Sequence, residues 1–373
     1  MSKKGENIYK RKDGRWEARY IKGYTPEGSA RFGYCYAKSY REAREKLHAA
    51  QAALAGLIPV PDTGKRKRFG IYCDEWLQLR RSTVKESTLV KYTNIIEKHI
   101  KPRLGGYFLQ ALSSVMVESF SFELLEEEGL APKTVRDILT VLRSVLAYVE
   151  RQSPNVLPNI DIVYPKDSKK EMRVLTQQEQ NEFVRYLMED MDECKFGVLL
   201  ALMTGMRIGE VCALRWCDVD IKDKIIKVTS TMQRLTDLSP DRLRKTKIVI
   251  SEPKSDQSYR IIPLTKQAAE LCKRWKAQGP AAFVLTGEEG RFIEPRTMQY
   301  RLEQYTKDCN LEDVHFHVLR HTFATRAVEV GFEIKTLSEV LGHSSPRITL
   351  ERYVHSSLKM KRDNMKKLAV IGL

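Results

Sequence analysis

The chain has 373 residues, of which 42% are hydrophobic, so it is long enough for two or three domains that each have a core. Its 64 Lys and Arg residues outnumber its 48 Asp and Glu residues, and the net charge of +16 favours nucleic acid as a partner. The composition excludes a disordered chain and a small disulfide scaffold, and no apolar run reaches the roughly 18 residues that a transmembrane helix needs.

Seven cysteines lie between Cys35 and Cys309 without the short paired spacings of zinc sites or of secreted disulfide frameworks. The chain begins Met1-Ser2-Lys3-Lys4, and no apolar signal-peptide core follows. We therefore expect reduced thiols, a cytoplasmic location and no membrane partner.

The first 60 residues are the most basic part of the chain, with 13 Lys and Arg against 6 Asp and Glu. Alternating runs with aromatic side chains flank an Asp13-Gly14 turn and a Pro26-Glu27-Gly28 turn, which is typical of β-hairpins. Ser39 and Glu42 have capping-box spacing, which predicts a helix over 40–54. Residues 1–60 are thus predicted to form a domain of three strands and one helix.

Basic and aromatic side chains of this domain are candidates for a face that contacts a DNA groove. They are Lys10, Arg11, Arg15, Trp16, Arg19, Tyr20, Tyr34 and Tyr36. The alternative is that the aromatic side chains form the core of the domain and the charges only solvate it. Because side chains alternate between the two faces of a strand, both interpretations can hold together.

A linker precedes a second domain, predicted at 66–153. The basic run of this linker, Lys65-Arg66-Lys67-Arg68, is expected to follow DNA phosphates. The alternative is that the run is only solvated. Apolar periodicity predicts four helices in this domain, at 72–79, 87–100, 115–128 and 132–151. A four-helix unit by itself does not indicate a function.

A second linker with three prolines, 153–170, precedes a third domain at 171–373. Thr176 and Glu179 repeat the capping-box spacing and open a mostly helical segment. One interruption, 219–264, is predicted to contain β-hairpins, with strands at 225–230, 247–251 and 259–263. The fold class predicted for the chain is multidomain and mainly α, with small β parts.

Four short segments of the third domain are hard to explain as scaffold. Thr204-Gly205-Met206-Arg207 places an arginine at a helix start, where an anion is favoured. His317 and Arg320 share one helix face, a pairing suited to a phosphate. The others are Pro253-Lys254-Ser255-Asp256, in a turn before a strand, and Leu341-Gly342-His343, followed ten residues later by Tyr353. Each segment alone also fits an ordinary solvated or structural role.

The order and spacing of six residues closely resemble the motif set of the tyrosine recombinases, also called phage-type integrases. The six are Arg207, Lys254, His317, Arg320, His343 and Tyr353. The resemblance covers about 170–373, and the helical domain before it is similar to the family's core-binding domain. Residues 1–60 resemble the arm-type DNA-binding domain of integrases from conjugative transposons and from phages of Gram-positive bacteria.

This resemblance implies a site-specific recombinase that cuts and rejoins DNA through a 3′-phosphotyrosyl intermediate and a Holliday junction, and so integrates and excises a mobile element. Tyr353 is implied as the nucleophile. Arg207, Arg320 and His343 are implied to hold the phosphate oxygens, and Lys254 to protonate the leaving 5′ oxygen.

Two further residues complete the expected site. His317 is expected to accept the tyrosine proton or to orient the phosphate, and Glu210 to support His317 or Arg207. No metal and no other cofactor is expected.

The resemblance also implies partners: double-stranded DNA at the element ends and the target site, three further copies of the chain in a tetramer on that DNA, an excision factor and a host DNA-bending protein, all at the bacterial nucleoid. The tail, 356–373, is expected to dock onto a neighbouring protomer, so truncation after His355 should weaken assembly. Two alternatives stay open: a type IB topoisomerase-like enzyme that relaxes DNA, and a DNA-binding regulator without catalysis.

Overall fold

The computed structural model describes residues 7–24, 30–54, 67–152, 157–167, 172–239, 241, 243–252, 258–277 and 279–353. Contacts within the chain divide it into two compact units, Met1–Lys169 and Lys170–Leu373, and the division falls in the predicted second linker. Across the described residues, no helix is both long and apolar enough to cross a membrane.

The first unit begins with an antiparallel sheet in the order β1-β2-β3. Its elements are β1 (Ile8–Lys10), β2 (Trp16–Tyr24), β3 (Ala30–Ala37) and the helix α1 (Tyr40–Leu54). Gly14 has a φ of 86°, the left-handed conformation that suits glycine, in the predicted first turn. The Ser39 hydroxyl accepts a hydrogen bond from the Glu42 N–H at 3.2 Å, so the predicted helix start is confirmed.

One face of this sheet is buried against α1. Its core residues are Ile8, Ala18, Ala37, Ala43 and Leu47. Trp16 and Tyr20 pack against the same core, and the Trp16 ring meets Tyr40 edge-on with centroids 5.2 Å apart. Both are among the candidates for the DNA-contacting face. The pleat turns them towards α1 and turns Arg19, which lies between them, to the other face, so the core role left open for the aromatic side chains applies to these two.

Helices form the rest of the first unit. They are α2 (Phe69–Arg81), α3 (Glu86–Ile95), α4 (Lys101–Leu104), α5 (Ser114–Phe122) and α6 (Pro132–Gln152). A π-helical turn, Ile96–Ile100, joins α3 to α4, and another, Glu123–Glu127, continues α5. The four predicted helices are therefore confirmed, with the second one extended by α4. The apolar stripe of α6 is buried and lines a core that is separate from that of the sheet.

The second unit opens with α7 (Gln177–Met188), α8 (Glu193–Thr204) and α9 (Ile208–Ala213). The predicted capping box at the start of α7 is confirmed, because Thr176 and Glu179 each accept a hydrogen bond from the other's N–H, at 3.2 and 2.7 Å. Nearly every residue of α8 is buried, so this helix lies at the centre of the unit's core.

Five strands follow: β4 (Val219–Asp220), β5 (Ile225–Val228), β6 (Thr231–Thr236), β7 (Thr246–Ser251) and β8 (Arg260–Pro263). They form a sheet in the order β4-β5-β8 and a separate pair β6-β7. The three predicted strands are present, and β4 and β6 were not predicted. The antiparallel register sets Arg260 of β8 opposite Val228 of β5.

The remaining helices are α10 (Lys266–Trp275), α11 (Pro295–Asp308), α12 (Phe316–Glu329), α13 (Ile334–Leu341) and α14 (Pro346–Tyr353). Gly342 ends α13 in the left-handed conformation, with a φ of 64°, as its glycine predicted. The mainly helical fold class with small sheets is confirmed. Several predicted features lie outside the described residues: the turn at 26–28, Lys65, Arg66, Lys254 and the tail.

Candidate active site

The second unit brings together the motif residues that the structure describes. Arg207 is the N-cap of α9, and it follows the turn at Gly205, whose φ is 69°. A Cβ at Gly205 would lie 2.6 Å from the Phe323 ring, so the close packing of α8 on α12 requires glycine. His317 and Arg320 lie on α12, while His343 and Tyr353 belong to the segment after α13.

Arg207 is half-buried and bonded on two sides. Its Nη1 donates to Glu210 Oε1 at 2.7 Å, and its Nη2 donates to the Gly342 carbonyl at 2.9 Å. A guanidinium has five N–H groups, and these two bonds use only two of them. Because 35% of the side chain stays exposed, Arg207 can offer further donors to a ligand at the surface.

Arg320 is a buried cation, and only 5% of the residue is exposed. Its Nη1 donates to the Gly205 carbonyl at 2.8 Å and its Nη2 to the Leu341 carbonyl at 2.6 Å. Burial and the nearby charge of Arg207 lower the pKa of Arg320 to about 9. Among the described residues no carboxylate lies within ion-pair distance of Arg320. A buried guanidinium held by neutral carbonyls is stabilised when an anion binds beside it.

Glu210 supplies the negative charge on the protein side of this cluster. Besides Arg207, it contacts Arg260, whose Nη1 and Nη2 donate to the two carboxylate oxygens at 3.0 and 2.7 Å. Both side chains of this pair are 4% exposed. Burial alone would raise the pKa of Glu210, but the hydrogen bonds and charge of Arg260 and the charge of Arg207 lower it to about 2.

Three arginines hold the C-terminal end of α13. Arg260 Nε donates to the Val340 carbonyl at 2.6 Å, and Arg320 and Arg207 donate to the next two carbonyls along the chain. Carbonyls at a helix end lack partners within the helix and carry partial negative charge, so cations are favoured there. The bonds fix the position of the residue that follows, His343, relative to both motif arginines.

Tyr353 ends α14 and is 6% exposed. Its hydroxyl oxygen lies 2.7 Å from His321 Nδ1. The ring of His343 lies parallel to the Tyr353 ring, with centroids 6.2 Å apart, and His343 Nδ1 lies 2.8 Å from the Thr349 hydroxyl. His317 precedes His321 by four residues on α12, and its ring centroid is 6.3 Å from that of His321.

The site is electropositive. Burial, then the charges of Arg320 and Arg207, lower the pKa of His343 to about 3. Desolvation and cationic neighbours also lower the pKa of His317. Burial raises the pKa of Tyr353, which these arginines oppose. Near neutral pH the site therefore contains neutral histidines, a protonated tyrosine and fixed positive charge, a setting that favours an anion such as a phosphodiester.

Sequence reasoning missed three residues of this site. Arg260 opens a strand with no local sign of burial. His321 follows Arg320 directly and lies four residues after His317, so helical spacing could have placed it beside that histidine. Nothing in the sequence distinguishes Thr349. Glu210 is expected to support His317 or Arg207, and in the structure it contacts Arg207.

No group of three or more His, Cys, Asp or Glu residues in the described ranges could hold a metal ion.

The outer face of the N-terminal sheet carries exposed aromatic rings and arginines. Its exposed rings belong to Tyr9, Phe32, Tyr34 and Tyr36. The Arg19 guanidinium lies 4.4 Å from the Phe32 ring, and those of Arg11 and Arg15 lie 5.5 and 5.8 Å from the Tyr36 ring. Lys10 shares the inward side of β1 with Ile8, although it stays exposed.

Part of the predicted basic run can also be placed. Lys67 pairs with Glu75 at 2.6 Å, and the Arg68 guanidinium lies 5.8 Å from the Phe108 ring. These contacts leave Lys67 and Arg68 exposed at the start of α2.

Comparison with protein families identifies the chain. The description "Phage integrase family" matches residues 173–360, just over half of the sequence. The chain belongs to the phage integrase family. A second description, "Phage integrase, N-terminal SAM-like domain", matches residues 68–124, in the helical part of the first unit.

Relatives of this integrase-family chain are named as recombinases and integrases. A tyrosine recombinase XerC-like protein of Caldanaerobacter subterraneus subsp. tengcongensis is 26% identical over 318 residues, which are 79% of this chain and 80% of the relative. The ICEBs1 integrase of Bacillus subtilis is 25% identical over 276 residues, which are 70% and 72% of the two chains. The chain is accordingly a tyrosine recombinase of the integrase type.

Solved structures of integrases share the fold. The Tn1549 transposon integrase in complex with a circular intermediate DNA superposes with a TM-score of 0.68 at 20% identity, covering 81% of this chain and 99% of that one. A chain of the lambda integrase tetramer bound to a Holliday junction superposes with a TM-score of 0.59 at 16% identity. The superposition covers 96% of this chain and 99% of that one.

Proposed function

We propose that this integrase-family chain cuts and rejoins duplex DNA at specific sites through a covalent phosphotyrosyl intermediate, integrating and excising a mobile element. The observation that carries the proposal is the buried Arg320, held only by carbonyls among the described residues, beside Arg207 and the buried Tyr353. This arrangement combines a nucleophile with an anion site of fixed positive charge.

The proposed reaction is the one that the family resemblance implies for these residues. The Tyr353 oxygen attacks the scissile phosphorus, the P–O5′ bond breaks, and a 3′-phosphotyrosyl link and a free 5′ hydroxyl result. Negative charge grows on the non-bridging oxygens, and the remaining N–H groups of Arg207 and Arg320 can hold them by charge-assisted bonds. Lys254 donates the proton that the leaving 5′ oxygen requires. The free 5′ hydroxyl then attacks the phosphotyrosyl link of a second duplex. This step releases the tyrosine and rejoins the strands.

Two histidines complete the phosphate site in this proposal. His343 is neutral, and when Thr349 donates its O–H to Nδ1, the proton of the ring lies on Nε2, which can donate to a phosphate oxygen. His317, at the surface of α12, orients the phosphate. Glu210 holds Arg207 through both its backbone N–H and its guanidinium, so it positions that arginine for the phosphate.

The proposed partners follow from the same chemistry. They are duplex DNA at the element ends and at the target, three further copies in a tetramer, and accessory excision and DNA-bending proteins at the bacterial nucleoid. Solved structures of a lambda integrase dimer on a core site and of a lambda integrase tetramer on a Holliday junction support the assembly. The outer face of the N-terminal sheet, with Arg11, Arg15 and Arg19 beside aromatic rings, is proposed to bind a separate DNA site.

The decisive experiment is covalent trapping. The full-length protein is mixed with labelled duplex from the ends of its own element, nicked so that the cleaved product cannot religate, and resolved under denaturing conditions. We expect an adduct that disappears in Tyr353→Phe and persists in the control Tyr300→Phe, because Tyr300 lies on α11 and is 61% exposed. Binding without an adduct would favour a DNA-binding regulator, and relaxation of any supercoiled plasmid by monomers would favour a topoisomerase.

A further inference from the structure

The Tyr353 hydroxyl has one protein partner among the described residues, and it is a histidine outside the motif set. His321 Nδ1 lies 2.7 Å from the hydroxyl oxygen, across 32 residues of chain. The two rings are tilted by 51° with centroids 5.5 Å apart. His321 is 8% exposed and Tyr353 is 6% exposed, so the contact is shielded from bulk water.

The surroundings of His321 keep it neutral. On its own helix it faces His317 and Arg320, with His315 at the N-cap, and from α14 it faces Arg352 and Tyr353. Burial, then the charges of His317 and Arg352, lower the pKa of His321 to about 4. A neutral imidazole has one ring nitrogen with a free lone pair, so Nδ1 can accept a hydrogen bond from the tyrosine O–H.

The other histidines of the site are arranged differently. His343 presents its ring face to the Tyr353 ring and uses Nδ1 for Thr349. No hydrogen bond joins His317 to Tyr353, although both lie in described segments, and the His317 ring centroid is 6.3 Å from that of His321. Of the histidines that the structure describes, only His321 has a ring nitrogen within hydrogen-bond distance of the attacking oxygen.

We propose that His321 is the proton acceptor for the nucleophile. This inference rests on the proposed function. As the Tyr353 oxygen bonds to phosphorus, its proton moves to His321 Nδ1, and the P–O5′ bond breaks as the 5′ oxygen takes its proton from the separate acid. In rejoining, His321 returns the proton to the tyrosine oxygen as the phosphotyrosyl bond breaks.

The test is a set of single-turnover cleavage rates on the nicked duplex between pH 6 and pH 9. His321→Asn keeps an amide oxygen that can accept a hydrogen bond but cannot accept a proton. At pH 7 we expect it to be slower than the wild type by on the order of 10²-fold, as is typical for loss of an acid–base group. The deficit should shrink as pH rises, because tyrosine then ionises without help. His315→Asn, on the same helix but without contact to Tyr353, should stay within about 3-fold.

A second substrate separates proton acceptance from leaving-group protonation. When sulfur replaces the leaving 5′ oxygen, departure no longer needs a proton, so Lys254→Ala should recover and His321→Asn should remain slow. Melting temperature and duplex binding report whether each variant is folded. If His321→Asn is not folded, His321→Gln takes its place.

Cleavage by His321→Asn within about 3-fold of the wild type, or a deficit that is constant with pH, would overturn the assignment of His321 alone. Absence of any adduct with the wild type would instead overturn the proposed function, and the inference with it.

Discussion

At the scale of single residues, the site depends on one buried carboxylate among several cations. Glu210 binds Arg260 through both oxygens and Arg207 through its side chain and backbone. Removing one partner of a buried ion pair leaves an uncompensated charge, which costs more than the pair itself contributes. Glu210 therefore links the stability of α9 and β8 to the position of Arg207, the arginine that we propose to bind phosphate.

Glu210→Gln should destabilise the second unit by about 3 kcal/mol at pH 7, because two arginines lose their countercharge. The pKa of this carboxyl falls from an ordinary 4.5 to about 2 on folding. Its contribution to the free energy of unfolding is therefore complete above pH 4.5 and is lost as the pH falls from 4.5 towards 2. Calorimetry of the wild type and of Glu210→Gln should thus show a difference in melting temperature that narrows below pH 4.5.

The matched control is Glu303→Gln, which removes an exposed ion pair with Lys307 at 2.7 Å. It should leave the melting temperature unchanged. An equally small effect of Glu210→Gln, or a difference that does not depend on pH, would show that the buried pair does not support the unit.

At the scale of elements, the end of α8 and the end of α13 meet around the motif arginines. The Gly205 carbonyl, at the end of α8, accepts from Arg320, and three successive carbonyls at the end of α13 accept from three arginines. Both helices stop at a glycine in the left-handed conformation. The two helix ends therefore determine the geometry of the proposed anion site.

Gly205→Ala should destabilise the second unit by more than a backbone effect alone, because the new Cβ meets the Phe323 ring at 2.6 Å and Leu341 at 3.0 Å. We expect about 1 kcal/mol from the left-handed backbone and a further 1–3 kcal/mol, roughly, from overpacking. Adduct formation should also slow, since the Gly205 carbonyl moves with Arg320.

Gly331→Ala provides the comparison within the same unit. Its φ of 88° also disfavours alanine, but nothing lies within 4 Å of the added Cβ. Urea unfolding of both variants measures the difference, and equal destabilisation would show that the packing of Gly205 against α12 is unimportant.

At the scale of the whole molecule, positive charge is densest in the N-terminal 60 residues. The first 60 residues carry 13 Lys and Arg against 6 Asp and Glu, and their folded part has its own small core. Exposed rings and arginines share the outer face of the sheet. This distribution suits a chain that binds one DNA site with its N-terminal sheet and cuts another with its second unit.

Deletion of residues 1–60 should leave adduct formation on the nicked core duplex within about 3-fold, because the residues of the candidate site all lie in the second unit. Binding to a duplex that carries the separate site should weaken. The slope of log K against log salt should become shallower by about 0.9 for each phosphate that the deleted residues had neutralised. Fluorescence anisotropy between 50 and 200 mM salt, roughly, measures both quantities.

Arg19→Ala in the full chain is the milder companion change, and it should make that slope shallower by about 0.9, the value for a single phosphate. A salt dependence that the deletion leaves unaltered would contradict the assignment of the sheet to DNA.

Much of the fold could be predicted because helices and capping boxes are local. The stripe of α6, the capping box at Thr176 and the stop at Gly342 each depend on residues a few positions apart, and the structure contains all three. The family resemblance was also readable, since a motif set consists of residue types in a fixed order. The strand β6 was missed because its pattern alternates weakly.

What only the tertiary structure decided is which distant groups meet. Arg260 joins Glu210 across 50 residues, and Tyr353 joins His321 across 32. The burial of Arg320 and the inward side of Trp16 depend likewise on packing between elements. Sequence spacing constrains neighbours within one helix or strand, whereas the partner of a buried charge is set by the packing of elements, because desolvation makes an unpaired group costly wherever in the chain its partner comes from.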